Sequence, residues 1–404
     1  MDKKLTNQIV TTIQWAIILV TNLFFVCKYI PRIGFNPILS ALVYSAVFCG
    51  AIYIYRHFFK KYISERFACF SSLLLTIGLL TVIACCIFFI DPLTIQVDRW
   101  SATTYFLDAL FSGIYPYGVH THVSEMNFPS PFPLWHYLNI PFWLIGDVGW
   151  IQAFFLLFFL FSVYLYFRSW RAVLNTLLLL YLSPAYWWEL ATRSDGLSNA
   201  LLICSLILIL ERYTIKMDKQ WWLLAIFAGC LASTRLSAVI PVALYLFKPW
   251  IDASWKIKIG FVAVAASVVI CAFAPYVFWD TENWVFFHRN PFMSQTEPGN
   301  PWILGIMVLL AIGIAYKKQT FYYYVSTTSA FMFAFMLIAN LGVMYSTKNP
   351  SALLDSTCDI SYFTLAIPYA IVALVYQYCP WMISPLPLST QMDSCASKLS
   401  ESKL

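Results

Sequence analysis

The sequence predicts an all-α polytopic membrane protein of about 12 transmembrane helices, within a range of 10–13, and three observations carry that expectation. First, 61% of the 404 residues are apolar and only 11% are charged, against roughly 45–50% and about 25% in a soluble domain. Mean hydropathy is accordingly +0.72. Second, apolar runs bounded by charge recur along the whole chain. Third, the basic residues collect on one side of the alternating connections. A soluble enzyme, a nucleic-acid binder, a secreted disulfide scaffold and a disordered chain are all excluded by this composition, and no nucleic-acid partner is expected. The eleven cysteines fall mainly in or beside apolar runs, without a CxxC pair or a Cys/His ligand spacing, and read as small hydrophobes.

Taken in order, the runs fall near residues 9–27, 36–55, 69–90, 149–167, 172–188, 196–210, 221–234, 237–248, 259–279, 302–316, 321–342 and 361–378. Several fall short of the roughly 17 residues needed to cross the hydrocarbon core and are expected to be tilted, broken or partly crossing. The division at Ser233-Thr234-Arg235 is compatible with two spans or with one kinked or re-entrant hairpin. Residues 1–378 form a single integral membrane domain, and the tail 379–404 is expected to be cytoplasmic and disordered.

Sidedness follows from Lys and Arg. With the N-terminus in the cytoplasm and twelve alternating crossings, 18 of the 25 basic residues are cytoplasmic, and both termini lie on that side. The opposite side keeps only Lys28, Arg32, Arg99, Arg193, Arg235, Arg289 and Lys348, together with 12 of the 19 acids. Cytoplasmic connections are short and basic. The outer face carries one long segment, about 91–148, and two shorter ones, Asp280–Pro301 and Val343–Ile360.

Within the long outer loop, residues 99–112 are expected to form a short helix lying on the membrane, with Trp100, Tyr105 and Phe106 at headgroup depth. Residues 132–145, interrupted by Pro141, read as a second interfacial or re-entrant helix. A loop with its own amphipathic elements packs as a fixed lid over a bundle, which points to a site in preference to a connector.

The order of features in this loop is specific: Asp98 shortly after a span, a surface helix, the turn Gly113-Ile114-Tyr115-Pro116-Tyr117, then Pro129-Ser130-Pro131-Phe132-Pro133-Leu134 leading into the next span. Over these roughly 60 residues the chain resembles the GT-C glycosyltransferase superfamily, and is similar to its polyprenyl-phosphate-sugar-dependent, mannosyltransferase-like members. Three departures accompany the likeness. The loop follows the third span instead of the first, Asp98 is followed by Arg99 instead of a second acid, and Ser361-Tyr362 stands where an Arg-Tyr pair is sometimes found.

The resemblance implies a fold, a reaction and a set of residues. A sugar on a polyprenyl phosphate would be passed on the outer face to a glycan, lipid or protein acceptor, with the lipid tail held among the spans. Asp98 would be the general base, by its place at the family's acidic position. Arg193, Arg235, His288 and Arg289, at outer span ends or in the second outer loop, would bind the donor phosphate. Arg99, Asp108, Tyr117, His120, His122, Trp135 and Asp195 complete the candidate substrate site. No cofactor is expected: His120, His122 and Glu125 have ligand-capable chemistry but no recognised metal spacing. Membrane lipid is the surrounding partner, and the absence of Asn-x-Ser/Thr from the outer loops tilts the location towards a bacterial inner membrane over an endoplasmic reticulum. Two other classes stay open at this stage, a multi-pass transporter and a lipid-linked glycan polymerase or ligase. The latter would lean on outer Arg and His instead of Asp98.

Overall fold

The computed structural model describes residues 3–54, 57, 63–296, 301–317, 320–355 and 357–378, so the tail expected from residue 379 lies outside the described residues. The helices, in order, are α1 (Lys3–Tyr29), α2 (Pro37–Ile54), α3 (Glu65–Phe89), α4 (Arg99–Phe111), α5 (Pro133–Leu144), α6 (Trp150–Phe167), α7 (Trp170–Tyr181), α8 (Pro184–Ala191), α9 (Gly196–Arg212), α10 (Met217–Ala232), α11 (Val239–Asp252), α12 (Trp255–Val277), α13 (Val285–His288), α14 (Pro291–Thr296), α15 (Pro301–Ala315), α16 (Phe321–Thr347) and α17 (Ile367–Tyr378). Among the described residues there is no strand.

Helix starts follow ordinary capping chemistry. Asn36 accepts the amides of Ile38 and Leu39 at the head of α2, and Ser64 accepts that of Phe67 at the head of α3. At the same end, Ser169 Oγ and the Trp170 amide donate to the two oxygens of Glu65 (2.7 and 2.8 Å), which fastens the start of α7 to the start of α3. The apolar run at 172–188 is cut by Leu182–Ser183, because Pro184 cannot continue the preceding helix.

Among the described residues, seven helical segments are long and apolar enough to cross a membrane, or eight when the bent pair α8 and α9 is taken as one broken span. The protein is therefore an integral multi-pass membrane protein. Each of the twelve apolar runs read from the sequence is helical, but α7, α9, α10, α11 and α15 are only 12 to 17 residues long. Burial separates centre from periphery. The last span (78% of its residues buried) and α6 (67%) are central, whereas α2 and α12 (6% each) are peripheral. Ile38, Leu42 and Val47 of α2 and Ile259, Val262 and Ile270 of α12 are each more than half exposed. Such an array is stable only where hydrocarbon is the solvent.

Tight approaches depend on small residues. A Cβ on Gly229 of α10 would stand 2.7 Å from the Ala265 carbonyl oxygen and 2.7 Å from Val268 Cβ of α12. Glycine lets these two helices touch backbone to backbone, a usual device between helices in lipid.

The long loop is built much as its sequence predicts. Its first helix is α4 and its second is α5, with Pro141 inside it. Trp143 Nε1 of α5 donates to Asp108 Oδ1 of α4 at 2.9 Å and holds the two together. One expectation is overturned: Phe106 is fully buried, stacked 3.6 Å from the His136 ring, and does not sit at the surface with Trp100 and Tyr105. Its neighbours on α5, Tyr117 and Tyr276 form a local apolar core beneath the loop, so that face of α4 points into protein.

Candidate functional site

The site begins with a broken helix. At the end of α8, Arg193 adopts a left-handed conformation (φ 52°). The Ser194 amide reaches back to the Glu189 carbonyl (3.0 Å) and the Arg193 amide to the Leu190 carbonyl (3.2 Å). This is a Schellman closure, made here with arginine where glycine is usual. The chain then turns by 113° into α9. Gln152 of α6 holds the corner, its Nε2 donating to the carbonyls of Glu189 (2.7 Å) and Ser194 (3.1 Å). Glu189, Arg193, Ser194, Asp195 and Asn199 are all buried around this corner.

A second break meets the first. Between α10 and α11 the backbone of Arg235 is extended. The proline-rich stretch of the long loop pairs with this gap, through Phe132 N–H to the Thr234 carbonyl (2.9 Å) and Leu134 N–H to the Ser233 carbonyl (3.0 Å). Gln295 of α14 adds the second outer loop: it accepts the Leu236 amide (2.9 Å) and donates to the Ser130 carbonyl. Two short helices, α10 and α11, thus flank residues 233–235, with a backbone docking strip between them.

From these corners a polar chain runs across the bundle. Arg235 is ion-paired with Asp195, and both side chains are almost wholly buried. Its Nη2 lies 3.5 Å from the Tyr362 hydroxyl, and its guanidinium faces the Tyr362 ring at 6.0 Å. Arg99 lies 5.5 Å from the centroid of the same ring, pairs with Asp359 and donates to Ser361 Oγ at 3.3 Å. Asp359 and Tyr362 stand three residues apart at the head of a 3-10 turn, Ile360–Ala366, whose period of three puts them on one side. Asp98 immediately precedes Arg99. It is half-buried at the start of α4, and its carboxylate has no hydrogen bond or ion pair among the described residues.

His136 closes the site from beneath. It is fully buried, and its Nε2 lies 3.1 Å from the Pro131 carbonyl, so that nitrogen carries the proton and Nδ1 is the bare acceptor. Burial holds its pKa down at about 3, with Asp195 opposing that shift. Among the described residues, several buried polar atoms in and around the corner have no hydrogen-bond partner: Asp195 Oδ1, the Asn199 amide and His136 Nδ1. Polar atoms this deep are normally satisfied.

The structure brings together Asp98, Arg99, Asp195 and Arg235 from the predicted set. Arg193 is occupied elsewhere. Its Nη1 pairs with Asp147 (2.8 Å) and its Nη2 lies 2.7–3.0 Å from the carbonyls of Cys86, Ile87 and Ile90, closing the open end of α3. Tyr117 is buried with its hydroxyl on the Pro131 carbonyl (3.1 Å), and Trp135 is buried against Phe155. Both are packing residues with no ring face open to a sugar. Asp108 serves Trp143, as above. His122 spans Ser101 Oγ (2.6 Å) and the Ile95 carbonyl (2.9 Å), tying the loop's entry to α4. His120 and Arg289 are exposed and both lie against the half-buried Phe128 ring, at 4.8 and 4.2 Å, and His288 is exposed beside Arg289. Among the described residues no group of three His, Cys, Asp or Glu is arranged to hold a metal ion.

Sequence reading missed Asp359 as a partner, and Glu189 and Asn199 as buried members. Asp359-x-x-Tyr362 at the head of an apolar run, and Asp195-x-x-x-Asn199 inside one, were the available signals. No family model, no curated protein and no solved structure matches this chain.

Proposed function

We propose that this chain is an integral membrane glycosyltransferase that takes a sugar from a polyprenyl-phosphate donor, with a GT-C-like arrangement of twelve crossings. The N- and C-termini lie in the cytoplasm and the long loop on the outer face. The observation that carries this reading is the free Asp98 carboxylate next to Arg99, whose guanidinium and that of Arg235 both approach the Tyr362 ring.

In this reading Asp98 accepts the proton of the acceptor hydroxyl as its oxygen attacks the anomeric carbon. The bond from that carbon to the phosphate oxygen breaks, and its electron pair stays on the leaving phosphate. Arg99 and Arg235 meet that growing negative charge, in a low-dielectric setting where fixed cations act strongly. Arg99 is the more available of the two, since its partner Asp359 is 42% exposed while Asp195 is sealed in with Arg235. These two arginines replace Arg193 in the phosphate-binding role. The acceptor is a glycan, lipid or protein on the outer face.

Transport is the second reading, and one observation favours it: a broken helix with buried charges at the break is how many carriers hold ions. The break, however, lies level with the end of α3, whose last carbonyls Arg193 caps, and not midway along the bundle. Reconstituted protein assayed with radiolabelled polyprenyl-phosphate sugars separates the readings. Sugar transfer that disappears in Asp98→Asn while donor binding persists supports the transferase. Sugar or ion flux insensitive to that change supports a carrier. Absence of transfer from every donor and acceptor tried overturns the first reading.

A further inference from the structure

At the end opposite the long loop, a cavity of about 840 Å³ opens among the turns that join α9 to α10, α11 to α12 and α15 to α16. Its floor is apolar, with Leu224, Leu244, Leu246, Ile257 and Phe321 among the lining side chains, and its rim is charged. The turn at its mouth is a second Schellman closure. Thr214 is left-handed (φ 49°), and the amides of Ile215 and Thr214 reach back to the carbonyls of Leu210 and Glu211 (3.2 Å each). This closure directs Lys216 and Asp218 onto the rim.

Some of the charged rim groups already have partners inside the protein. Glu211 accepts the Tyr245 hydroxyl at 3.0 Å, and Lys248 is paired with Asp252 at 2.6 Å. Three remain: Lys216, Lys317 and Asp218 are exposed, line the cavity, and make no side-chain ion pair or hydrogen bond among the described residues. Two free cations and one free anion above an apolar floor match an amphiphile whose head carries a phosphate and a protonated amine. The volume lies in the range of small-molecule sites, typically about 300–1,000 Å³.

We infer that this cavity binds a phospholipid with a phosphoethanolamine head. The two lysines receive the phosphate, Asp218 receives the ammonium, and the upper acyl chain rests on the leucines and Phe321. A primary ammonium can donate hydrogen bonds to Asp218, whereas a quaternary choline has no N–H to give. A singly anionic glycerol head satisfies the lysines and leaves Asp218 repelled. The site is independent of the transferase reading, because it lies at the other end of the bundle and shares no residue with the Asp98 centre.

Full-length protein, delipidated in detergent and titrated with phosphatidylethanolamine, phosphatidylglycerol or phosphatidylcholine of identical chains, tests this by native mass spectrometry. The expected result is one lipid retained per protein, with phosphatidylethanolamine held about tenfold more tightly than the other two. Lys216→Gln combined with Lys317→Gln weakens that binding about 30-fold, from the loss of two charges near a phosphate at about 1 kcal/mol each. Asp218→Asn removes the preference for ethanolamine over glycerol while retention of phosphatidylglycerol persists or rises. The three side chains are exposed, so folding is controlled by checking that all variants keep the parent melting profile. Equal retention of the three lipids, preference for phosphatidylglycerol in the parent, or variants that bind like the parent would each overturn the assignment.

Discussion

The Asp98 side chain is half-buried and unpaired, yet within a few bonds of a cation that is firmly held by Asp359. If it is the base, Asp98→Asn lowers the transfer rate about 10²–10⁴-fold, with donor affinity nearly unchanged and the melting profile intact. A fall in donor affinity with an unchanged rate would assign it to binding instead. His136 gives a second test at this scale. An unfolded imidazole takes up a proton near pH 6.5, whereas burial delays protonation in the fold until about pH 3. Between those values the unfolded chain holds the extra proton, so stability is full above pH 6.5 and falls as the pH drops through that window, by up to about 1.4 kcal/mol per pH unit. The apparent melting temperature of the parent should therefore drop between pH 7.5 and 5.5, and His136→Asn should flatten the part of that slope due to the imidazole. An equal slope in the variant would mean the proton goes elsewhere.

Helix ends and helix contacts set the frame for these side chains. Arg193 holds the α8–α9 corner against the last turn of α3 and against Asp147. Replacing it with Met leaves a partly buried carboxylate unpaired and uncaps that turn, a loss of about 3–5 kcal/mol by analogy with broken buried pairs. In a thermal shift assay Arg193→Met should melt far below the parent, and Arg193→Met with Asp147→Asn should recover part of the difference. No recovery would show that the carbonyl caps matter more than the charge. Where α10 meets α12, alanine at 229 would gain about 1 kcal/mol of helix propensity over glycine. The Ala265 carbonyl and Val268 Cβ at 2.7 Å leave its methyl no room, and overpacking typically costs about 1–3 kcal/mol. The clash is the larger effect, and because its near partner is backbone the neighbour cannot simply rotate away. Gly229→Ala is expected to lower the melting temperature; a rise would mean the two helices separate easily.

For the whole molecule, orientation is the quantity to measure. Placing the loop end outside, as the asymmetry of Lys and Arg leads us to propose, would leave the basic connections in the cytoplasm. With the native cysteines replaced, a cysteine at Glu125 or Glu282 should react with a membrane-impermeant maleimide in intact cells, and one at Asp218 should react only after permeabilisation. The opposite pattern would invert the topology and remove Asp98 from the outer face. Either way, the surfaces of α2 and α12 require lipid around them, because Ile38, Leu42 and Val47 of the one and Ile259, Val262 and Ile270 of the other are each more than half exposed.

Much of this protein was legible in its residues alone. Hydropathy marks each long helix, since a backbone in hydrocarbon must bond internally and an apolar run of sufficient length has no other stable form. The two helices of the long loop, at 99–111 and 133–144, were legible for a related reason: aromatic and apolar residues at helical spacing, with Pro133 suited to a first turn. What no linear pattern could decide was which outer charges meet. Arg193 and Arg235 look alike in sequence, each an isolated cation beside an apolar run, yet one caps carbonyls of α3 and the other pairs with Asp195 beside Tyr362. That choice depends on a 113° corner and on the proline-rich strip docking against residues 233–235. The docking strip, and the hold of Gln152 on the corner, join segments far apart along the chain, and local propensity carries no information about the distance between such segments. Composition thus determined the solvent and the helices, while only packing determined which side chains face one another.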